Sequence, residues 1–192
     1  MFPIPYIPSL NYTGSRGWRA DRSAVAKQLN VPGGVLLHGA CDLIAPPGTP
    51  VLAVANGFVR ENPRTFYPYN GPLITYAFSI QHHGFRARYC EIGENVEVKA
   101  DDYVLEGQVI GYIGHQPGDG DHQMLHFEMY RGTEFGELSN TDAAYAPFFR
   151  RKDIMDPTPY LDQWKSTAVW KKTSKWKYKP KDADGRIFLE DP

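Results

Sequence analysis

Two histidines and one aspartate, in two separated segments, have the side chains of a metal site. His38 and Asp42 lie four residues apart in LLHGACDL, and His126 lies in QMLHFEMY. Two imidazoles and a carboxylate can bind a zinc ion and leave a fourth position open for the water of hydrolytic chemistry. A single histidine in a strand is more often structural, so the prediction needs all three residues together. Together they predict a catalytic type of zinc site, although another divalent ion could fit the same ligands.

The segment around His126 alternates as expected of a half-buried strand. Met124, His126 and Glu128 fall on one side, and apolar residues fall on the other: Leu125, Phe127 and Met129. Glu128 would either orient a histidine from behind or form a cross-strand ion pair. The spacing of His38 and Asp42 allows both to share one face of a strand, or a strand and the turn after it to hold them.

The elements that must position these residues are predicted to be mainly strands. Runs with β-branched or aromatic residues between glycine, proline and asparagine occur at 49–60, 73–82, 85–92, 109–113 and 124–130. Short helices are suggested only at 22–30 and 156–164. The segment 62–72 suggests a loop between strands. The pattern predicts an all-β fold with an antiparallel sheet and a few short helices.

Four segments occur in an order that is typical of one family. They are HGACDLIAPPGTPVLAVANGFV, RARYCEIGENVEV, YVLEGQVIGYIG and MLHFEMY, within roughly residues 35–130. In this order they resemble the lysostaphin-type (LytM-like) zinc peptidoglycan metalloendopeptidases. The resemblance implies an antiparallel sheet core of the barrel-sandwich hybrid type, a Zn²⁺ cofactor and a peptidoglycan peptide as substrate.

The resemblance assigns His38, Asp42 and His126 to the three zinc ligands of the family, in agreement with their ligand chemistry. Three positions depart from it. Ala40 stands where the first motif usually has glycine, a small change that a strand can absorb, and Glu91 and Met124 stand where the family has its two catalytic histidines. Methionine cannot donate a hydrogen bond to a developing oxyanion, and losing one such donor typically costs about 3 kcal/mol. The resemblance thus implies a variant that keeps the ligands and lacks both catalytic histidines.

Glu91 and His122 are the residues predicted to do the catalytic work. Glu91 can act as the base, as carboxylates beside zinc do in other metalloproteases, or it is an exposed carboxylate or an ion-pair partner of Arg86 or Arg88. His122 would share the metal-facing side if the last strand already began there, although GDGD before it indicates a loop. His115, at the far end of that loop, is a further candidate. The alternative for both histidines is a solvated loop residue.

The two cysteines allow at most one disulfide. Cys41 precedes Asp42 and Cys90 precedes Glu91, so alternation in a strand predicts that both thiols face away from the site and into the core. Buried free thiols are favoured over a bridge, which would need an oxidising compartment.

Composition indicates an ordinary globular chain. Its 192 residues with 42% hydrophobic content suffice for one core, and the net charge of -1 gives no general attraction to nucleic acid. No segment has the roughly 20 apolar residues of a membrane span, and residues 1–10 do not resemble a signal peptide. We therefore expect a protein made in the cytoplasm that acts in the periplasm or on the cell wall after lysis or non-classical export. A phage or secretion-system protein would fit, with a delivery or immunity protein as a partner.

Three segments are distinguished along the chain. Residues 1–34 are predicted to be an extension that packs on the core, 35–164 to be the metallopeptidase domain, and 165–192 to be a basic, aromatic tail. The lysines and aromatic residues of the tail could bind an anionic polymer or stack on sugars, but a partly disordered arm explains them equally.

Three functions remain open from the sequence. The first is a zinc hydrolase that cuts peptide cross-links in peptidoglycan, with Glu91 as the base. The second is a metal-binding but catalytically inactive relative that acts as a cell-wall-binding or regulatory module. The third is a carrier domain, since VEVKADDYVLEGQVIGYIG resembles half of a biotinyl or lipoyl domain, although no carrier-type lysine stands at its turn. The histidines favour the first two.

Overall fold

The computed structural model of the protein describes residues 1–5, 7–8, 12–28, 30–68, 73–116 and 123–168. The strands within these residues are β1 Cys41–Ile44, β2 Pro50–Leu52, β3 Gly57–Val59, β4 Arg64–Pro68, β5 Ile74–His82, β6 Phe85–Ile92, β7 Tyr103–Val104, β8 Val109–Tyr112, β9 Met124–Tyr130 and β10 Ile154–Met155. The α-helices are α1 Ser23–Gln28 and α2 Thr158–Trp164, and short 3-10 helices lie at Gly14–Arg16, Pro32–Gly34, Ala143–Tyr145 and Lys165–Thr167.

An antiparallel sheet forms the centre of the fold. Its strands run in the order β1-β9-β6-β5-β3-β7, with β10 paired to β9 and β4 paired to β5. Strands β2 and β8 form a separate antiparallel pair. The prediction of an all-β fold with a few short helices is confirmed.

Two details of the sequence prediction are wrong. The run 49–60 is not one strand, because the chain bends at 54–56 between β2 and β3. The segment 62–72 is not only a loop, because 64–68 form β4 on the edge of β5. The sequence at 64–68 contains threonine and two aromatic residues, which favour an extended strand over a loop. Residues 69–72 lie outside the described part of the chain.

The core lies on the face of the sheet opposite the candidate ligands. Tyr89, Phe78 and Phe127 pack together there, with ring centroids 5.4 to 5.8 Å apart and no exposed surface. Alternation in β9 therefore leaves His126 on the other face, since Phe127 is its neighbour. Because the core covers one face of the sheet, only the face that carries His126 is open for a site.

The first residues of the chain also contribute to the core. Phe2, Ile4 and Tyr12 are almost fully buried, and the Tyr12 hydroxyl donates to Asp162 at 2.7 Å in α2. The division into a 1–34 extension, a 35–164 domain and a 165–192 tail stays a prediction, and 169–192 lie outside the described residues. Within the described ranges, no helix has both the length and the apolar character needed to cross a membrane.

Candidate metal centre

The three predicted ligands meet at the paired ends of β1 and β9. Asp42 stands directly opposite His126 in the antiparallel register, and His38 reaches the same point from the segment just before β1. His38 Nε2 lies 3.2 Å from Asp42 Oδ1 and 3.2 Å from His126 Nδ1. His126 Nδ1 lies 3.1 Å from Asp42 Oδ1. Three ligand atoms from two distant segments of the chain therefore form a nearly equilateral triangle.

The dimensions of this triangle fit a tetrahedral zinc ion. Ligand atoms about 2.0 to 2.1 Å from a tetrahedral zinc lie about 3.3 Å from one another. The three edges of 3.1 to 3.2 Å are close to that value, and the donor set of two imidazoles and one carboxylate is a zinc set. These residues could hold the ion with little rearrangement.

Each imidazole is oriented by a hydrogen-bond partner at the ring nitrogen that points away from the triangle. His38 Nδ1 lies 3.0 Å from the carbonyl oxygen of Gly17, and His126 Nε2 lies 3.1 Å from Glu128 Oε1. If these nitrogens keep their protons, His38 Nε2 and His126 Nδ1 are the nitrogens that can bind a metal in the triangle, the latter after its own proton is displaced. Supporting hydrogen bonds of this kind accompany most metal-binding histidines.

The pKa values of the three triad residues are shifted in directions that their surroundings explain. Burial would raise the pKa of Asp42, but hydrogen bonds from His126 and His38 outweigh it and lower the pKa well below its usual value. Burial lowers the pKa of His38, and the neighbouring His126 and Arg22 add to this effect. Burial would also lower the pKa of His126, but Asp42 and Glu128 outweigh it and raise the pKa to about 9. A metal must therefore displace a proton from His126 at neutral pH, in competition with Asp42 and Glu128.

Glu128 both orients a ligand and joins an ion-pair network. The fully buried carboxylate accepts from Arg150 Nε at 2.7 Å, from Tyr130 at 2.5 Å and from Arg88 at 3.3 Å, in addition to His126. Burial would raise its pKa, but Arg150 and Arg88 lower it far below the usual value. Both alternatives offered for this residue by the sequence are thus present.

A bulge in β6 brings Glu91 to the metal side of the sheet. Tyr76 pairs with Ile92 and Phe78 pairs with Tyr89, so one residue of β5 faces two of β6. Glu91 has a φ of 65°, in the left-handed region that non-glycine residues seldom adopt.

The carboxylate of Glu91 is held in place within the same pocket as the triad. It is buried, and its Oε2 accepts a hydrogen bond of 2.7 Å from the Thr75 hydroxyl. Of its suggested ion-pair partners, Arg86 lies 2.6 Å from Glu61 and Arg88 lies 3.3 Å from Glu128. The exposed-carboxylate alternative is wrong, and the catalytic role stays a prediction.

The structure places only some of the other predicted residues near the metal centre. Met124 lines the pocket beside His126, as expected from alternation in β9. His115 is exposed and is not among the residues that line the pocket. His122 falls outside the described residues, so its catalytic role stays a prediction.

The prediction for the cysteines is right for one residue and wrong for the other. Both are buried and free, and Cys41 faces the core beside Phe127. Cys90 instead lies opposite His126, with its sulfur within 4.8 Å of ligand atoms of His126 and Glu128. The bulge explains the error, because simple alternation cannot place Cys90 and Glu91 on the same side of the sheet.

An open pocket of about 690 Å³ surrounds the triad. Its walls include two arginines that the sequence reasoning did not assign to the site, Arg22 and Arg150. Arg22 Nη2 lies 3.0 Å from Asp42 Oδ2, although the two residues are 20 apart in the sequence. No local pattern marks either arginine, because only the tertiary fold brings the N-terminal segment and the 150 region to the triad.

Comparisons with known proteins find a matching family and similar folds. The family model for peptidase family M23 matches residues 37–140, which is just over half of the chain. No curated protein sequence matches the chain. Among solved structures, cbpa from L. salivarius REN is 20% identical with a TM-score of 0.51, and the match covers 87% of this chain and 98% of that chain. This match supports the fold.

Lysostaphin is also among the similar structures. The lysostaphin of Staphylococcus simulans is 24% identical with a TM-score of 0.46, and the match covers 83% of this chain and 56% of that chain. A solution structure of lysostaphin is 22% identical with a TM-score of 0.45, covering 79% of this chain and 54% of that chain. The chain thus spans little more than half the length of these two proteins.

Proposed function

The chain belongs to peptidase family M23, and from this membership we propose that it is a zinc-dependent peptidoglycan hydrolase, an endopeptidase that cuts the peptide cross-links of cell walls. The observation that carries the proposal is the triangle of His38, Asp42 and His126 atoms, with edges of 3.1 to 3.2 Å, on the wall of an open pocket. A buried metal site alone would not suggest hydrolysis, whereas an open one can admit both water and a peptide.

The triad would hold the zinc ion, and residues around it would do the proton and charge chemistry. A bound zinc ion supplies a Lewis acid that polarises a carbonyl and lowers the pKa of water. Gly17 and Glu128 fix the two imidazoles, so the ligand atoms are preorganised. Preorganised ligands cost little reorganisation when substrate binds.

Glu91 is the proposed general base. Its carboxylate shares the pocket with the triad and is held by Thr75, so it has one defined position. A carboxylate in such a position can take the proton from the attacking water and pass it to the leaving amine.

Arg22 is the proposed replacement for the donor that Met124 lacks. Its side chain is 25% exposed, lines the pocket and lies 3.0 Å from Asp42. A guanidinium has five N–H groups; Nη2 of Arg22 donates to Asp42 and Nη1 to the carbonyl oxygen of Ser15, and its other N–H groups can donate to the oxygen of a scissile carbonyl. In zinc-saturated protein, Arg22→Gln should lower turnover by about 100-fold, the usual cost of one oxyanion donor. Unchanged turnover would remove this role.

The alternative function is that of a metal-binding but inactive relative that recognises the wall or regulates another enzyme. The observation that favours it is Met124, an apolar side chain in the pocket at a position where the resemblance places a catalytic histidine. Under this alternative Glu91 is a structural residue, and zinc binding is retained without cleavage. Delivery by a phage or a secretion machine, and an immunity or delivery partner, stay predictions.

One experiment separates these functions. Zinc content is measured on purified protein, and purified peptidoglycan of several wall types is then digested with the wild type, with Glu91→Gln and with Glu97→Gln. Glu97 is an exposed glutamate outside the pocket, so its variant controls for the change of charge. We expect one zinc per chain, release of peptides by the wild type and the control, and none by Glu91→Gln.

Other results would redirect the proposal. Stoichiometric zinc without released peptide from any wall would favour the inactive alternative. Cleavage that survives Glu91→Gln would remove Glu91 from the role of base. Zinc retained by both His38→Ala and His126→Ala would refute the ligand assignment.

A further inference from the structure

A second cavity, beside the candidate metal centre, is dominated by arginine side chains. It has a volume of about 190 Å³, and its charged lining residues are Arg60, Arg64, Arg86, Arg88, Glu61 and Glu137. Four positive charges face two negative ones, so the lining carries an excess of two positive charges. We call it the arginine cavity.

The arginine cavity and the metal pocket adjoin along one face of the sheet. Arg88 and Ser139 line both of them, and Arg88 Nη1 donates to Ser139 at 2.9 Å. In the register of β6 and β9, Arg88 stands opposite Glu128, which is two residues from the candidate ligand His126. A peptide lying across the strands could therefore occupy both without leaving the surface.

The arginines differ in how firmly they are already paired. Arg86 is held by Glu61 at 2.6 Å and by Ser79 at 2.7 Å, so its guanidinium is fixed. Arg64 is 67% exposed and lies 3.5 Å from Glu137, which is 77% exposed. An exposed ion pair of this length is worth little, so Arg64 can change partner at small cost.

Arg60 adds to the positive charge of the arginine cavity. Burial lowers the pKa of Arg86, and although Glu61 opposes this effect, the positive charges of Arg151 and Arg60 add to it. The exposed Arg60 is thus close enough for its charge to be felt by a neighbouring guanidinium. An incoming anion would relieve this repulsion, and a planar carboxylate matches the fork of donors on an arginine.

We propose that the arginine cavity binds a carboxylate of the substrate peptide. The proposal rests on the proposed peptidase function and specifies its substrate class as acidic stem peptides of peptidoglycan, in contrast to uncharged glycine bridges. Strand β4, which carries Arg64, lies three strands from β9, which carries His126. Three spacings of about 4.8 Å make about 14 Å, so the bound carboxylate lies within about four extended residues of the cleaved bond.

The test is a binding measurement that needs no cleavage. A fluorescent stem tetrapeptide without cross-links, with its carboxylates free or all amidated, is titrated against the zinc-loaded protein by fluorescence anisotropy. The wild type should bind the free acid about tenfold more tightly than the amide, as expected for one charge-assisted contact, and added salt should weaken this preference. The variant Arg60→Gln/Arg64→Gln should lose most of the preference. The matched control Arg131→Gln, an exposed arginine outside the cavity, should keep it.

The outcomes separate this proposal from the proposed function. Equal affinity for acid and amide, or a preference that persists in the double variant, overturns the assignment of the arginine cavity. Digestion of walls without any preference for the acid leaves the hydrolase and removes the cavity. A preference for the acid in a protein that releases nothing from any wall keeps the cavity and removes the hydrolase. Both variants change exposed side chains, so loss of the fold is not expected, and circular dichroism checks it.

Discussion

The carboxylate of Glu128 should be required for both zinc affinity and stability, and Glu128→Gln is the sharpest test of the network behind the ligands. The glutamine keeps the shape of the side chain and removes its charge. In the wild type, Oε1 of Glu128 accepts from Arg150 at 2.7 Å and from His126 at 3.1 Å. Its Oε2 accepts from Tyr130 at 2.5 Å and from Arg88 at 3.3 Å. An amide has only one oxygen, so its nitrogen would face donors that it cannot satisfy.

The size of the effect follows from burial. Glu128 has no exposed surface, and the side chains of Arg88 and Arg150 are only 15% and 19% exposed. Removing one partner of a buried ion pair typically costs about 3 to 5 kcal/mol, because the remaining charge is left without compensation. Loss of a group that orients a metal-binding histidine typically lowers metal affinity by about 10- to 100-fold.

Two measurements check the Glu128 prediction. Denaturant unfolding of the zinc-free protein gives the change in the free energy of unfolding, and titration against a competing chelator gives the zinc dissociation constant. The exposed Glu137→Gln is the control, and we expect it to change stability by less than about 0.5 kcal/mol. A Glu128→Gln variant that matches the wild type in both measurements would refute the role of the network.

Three further predictions concern the backbone and a buried histidine. Glu91→Gly should be more stable than Glu91→Ala by about 1 kcal/mol in denaturant unfolding, because both lose the carboxylate and only glycine is unstrained at a φ of 65°; equal stability would contradict this backbone conformation. Gly57→Ala should destabilise the fold by about 1 to 3 kcal/mol in the same assay, since its Cβ would lie 2.5 Å from the carbonyl oxygen of Gln81. Burial lowers the pKa of His82 from 6.5 to about 4, so between these values only the unfolded chain binds the proton. The free energy of unfolding should therefore fall by up to about 3 kcal/mol as the pH falls from 6.5 to 4, and this part of the pH dependence should be absent in His82→Gln.

Most of the strands, and the placing of the triad residues close together, can be predicted from the sequence because they depend on short patterns. The alternation of β9 places His126 opposite its apolar neighbours, and pairing with β1 then brings Asp42 to the same point. A slip of one residue in this pairing would turn His126 into the core, so the apolar pattern itself fixes the register. What could be predicted is therefore what local periodicity controls.

The remaining parts of the site depend on long-range contacts that leave no local pattern. Arg22 precedes β1 in the sequence and Arg150 lies between β9 and β10, so they reach Asp42 and Glu128 only in the folded chain. The sequence around β4 indicates a loop, because two prolines and an asparagine-glycine pair flank its short aromatic run. Its pairing with β5 outweighs these signals and places Arg64 beside the arginine cavity.

The bulge in β6 brings a carboxylate into the metal pocket. In a regular strand Glu91 would alternate with Cys90 and point into the core, where an unpaired carboxylate carries a large desolvation cost. The extra residue lets Cys90 stay opposite His126 while Glu91 reaches the pocket and Ile92 returns to the core. A left-handed residue at this position costs about 1 to 2 kcal/mol, and glycine would avoid that cost. A strained backbone that places a carboxylate in the metal pocket, where Thr75 holds it, supports the proposed role of general base, because a purely structural position would gain stability from glycine or an apolar side chain.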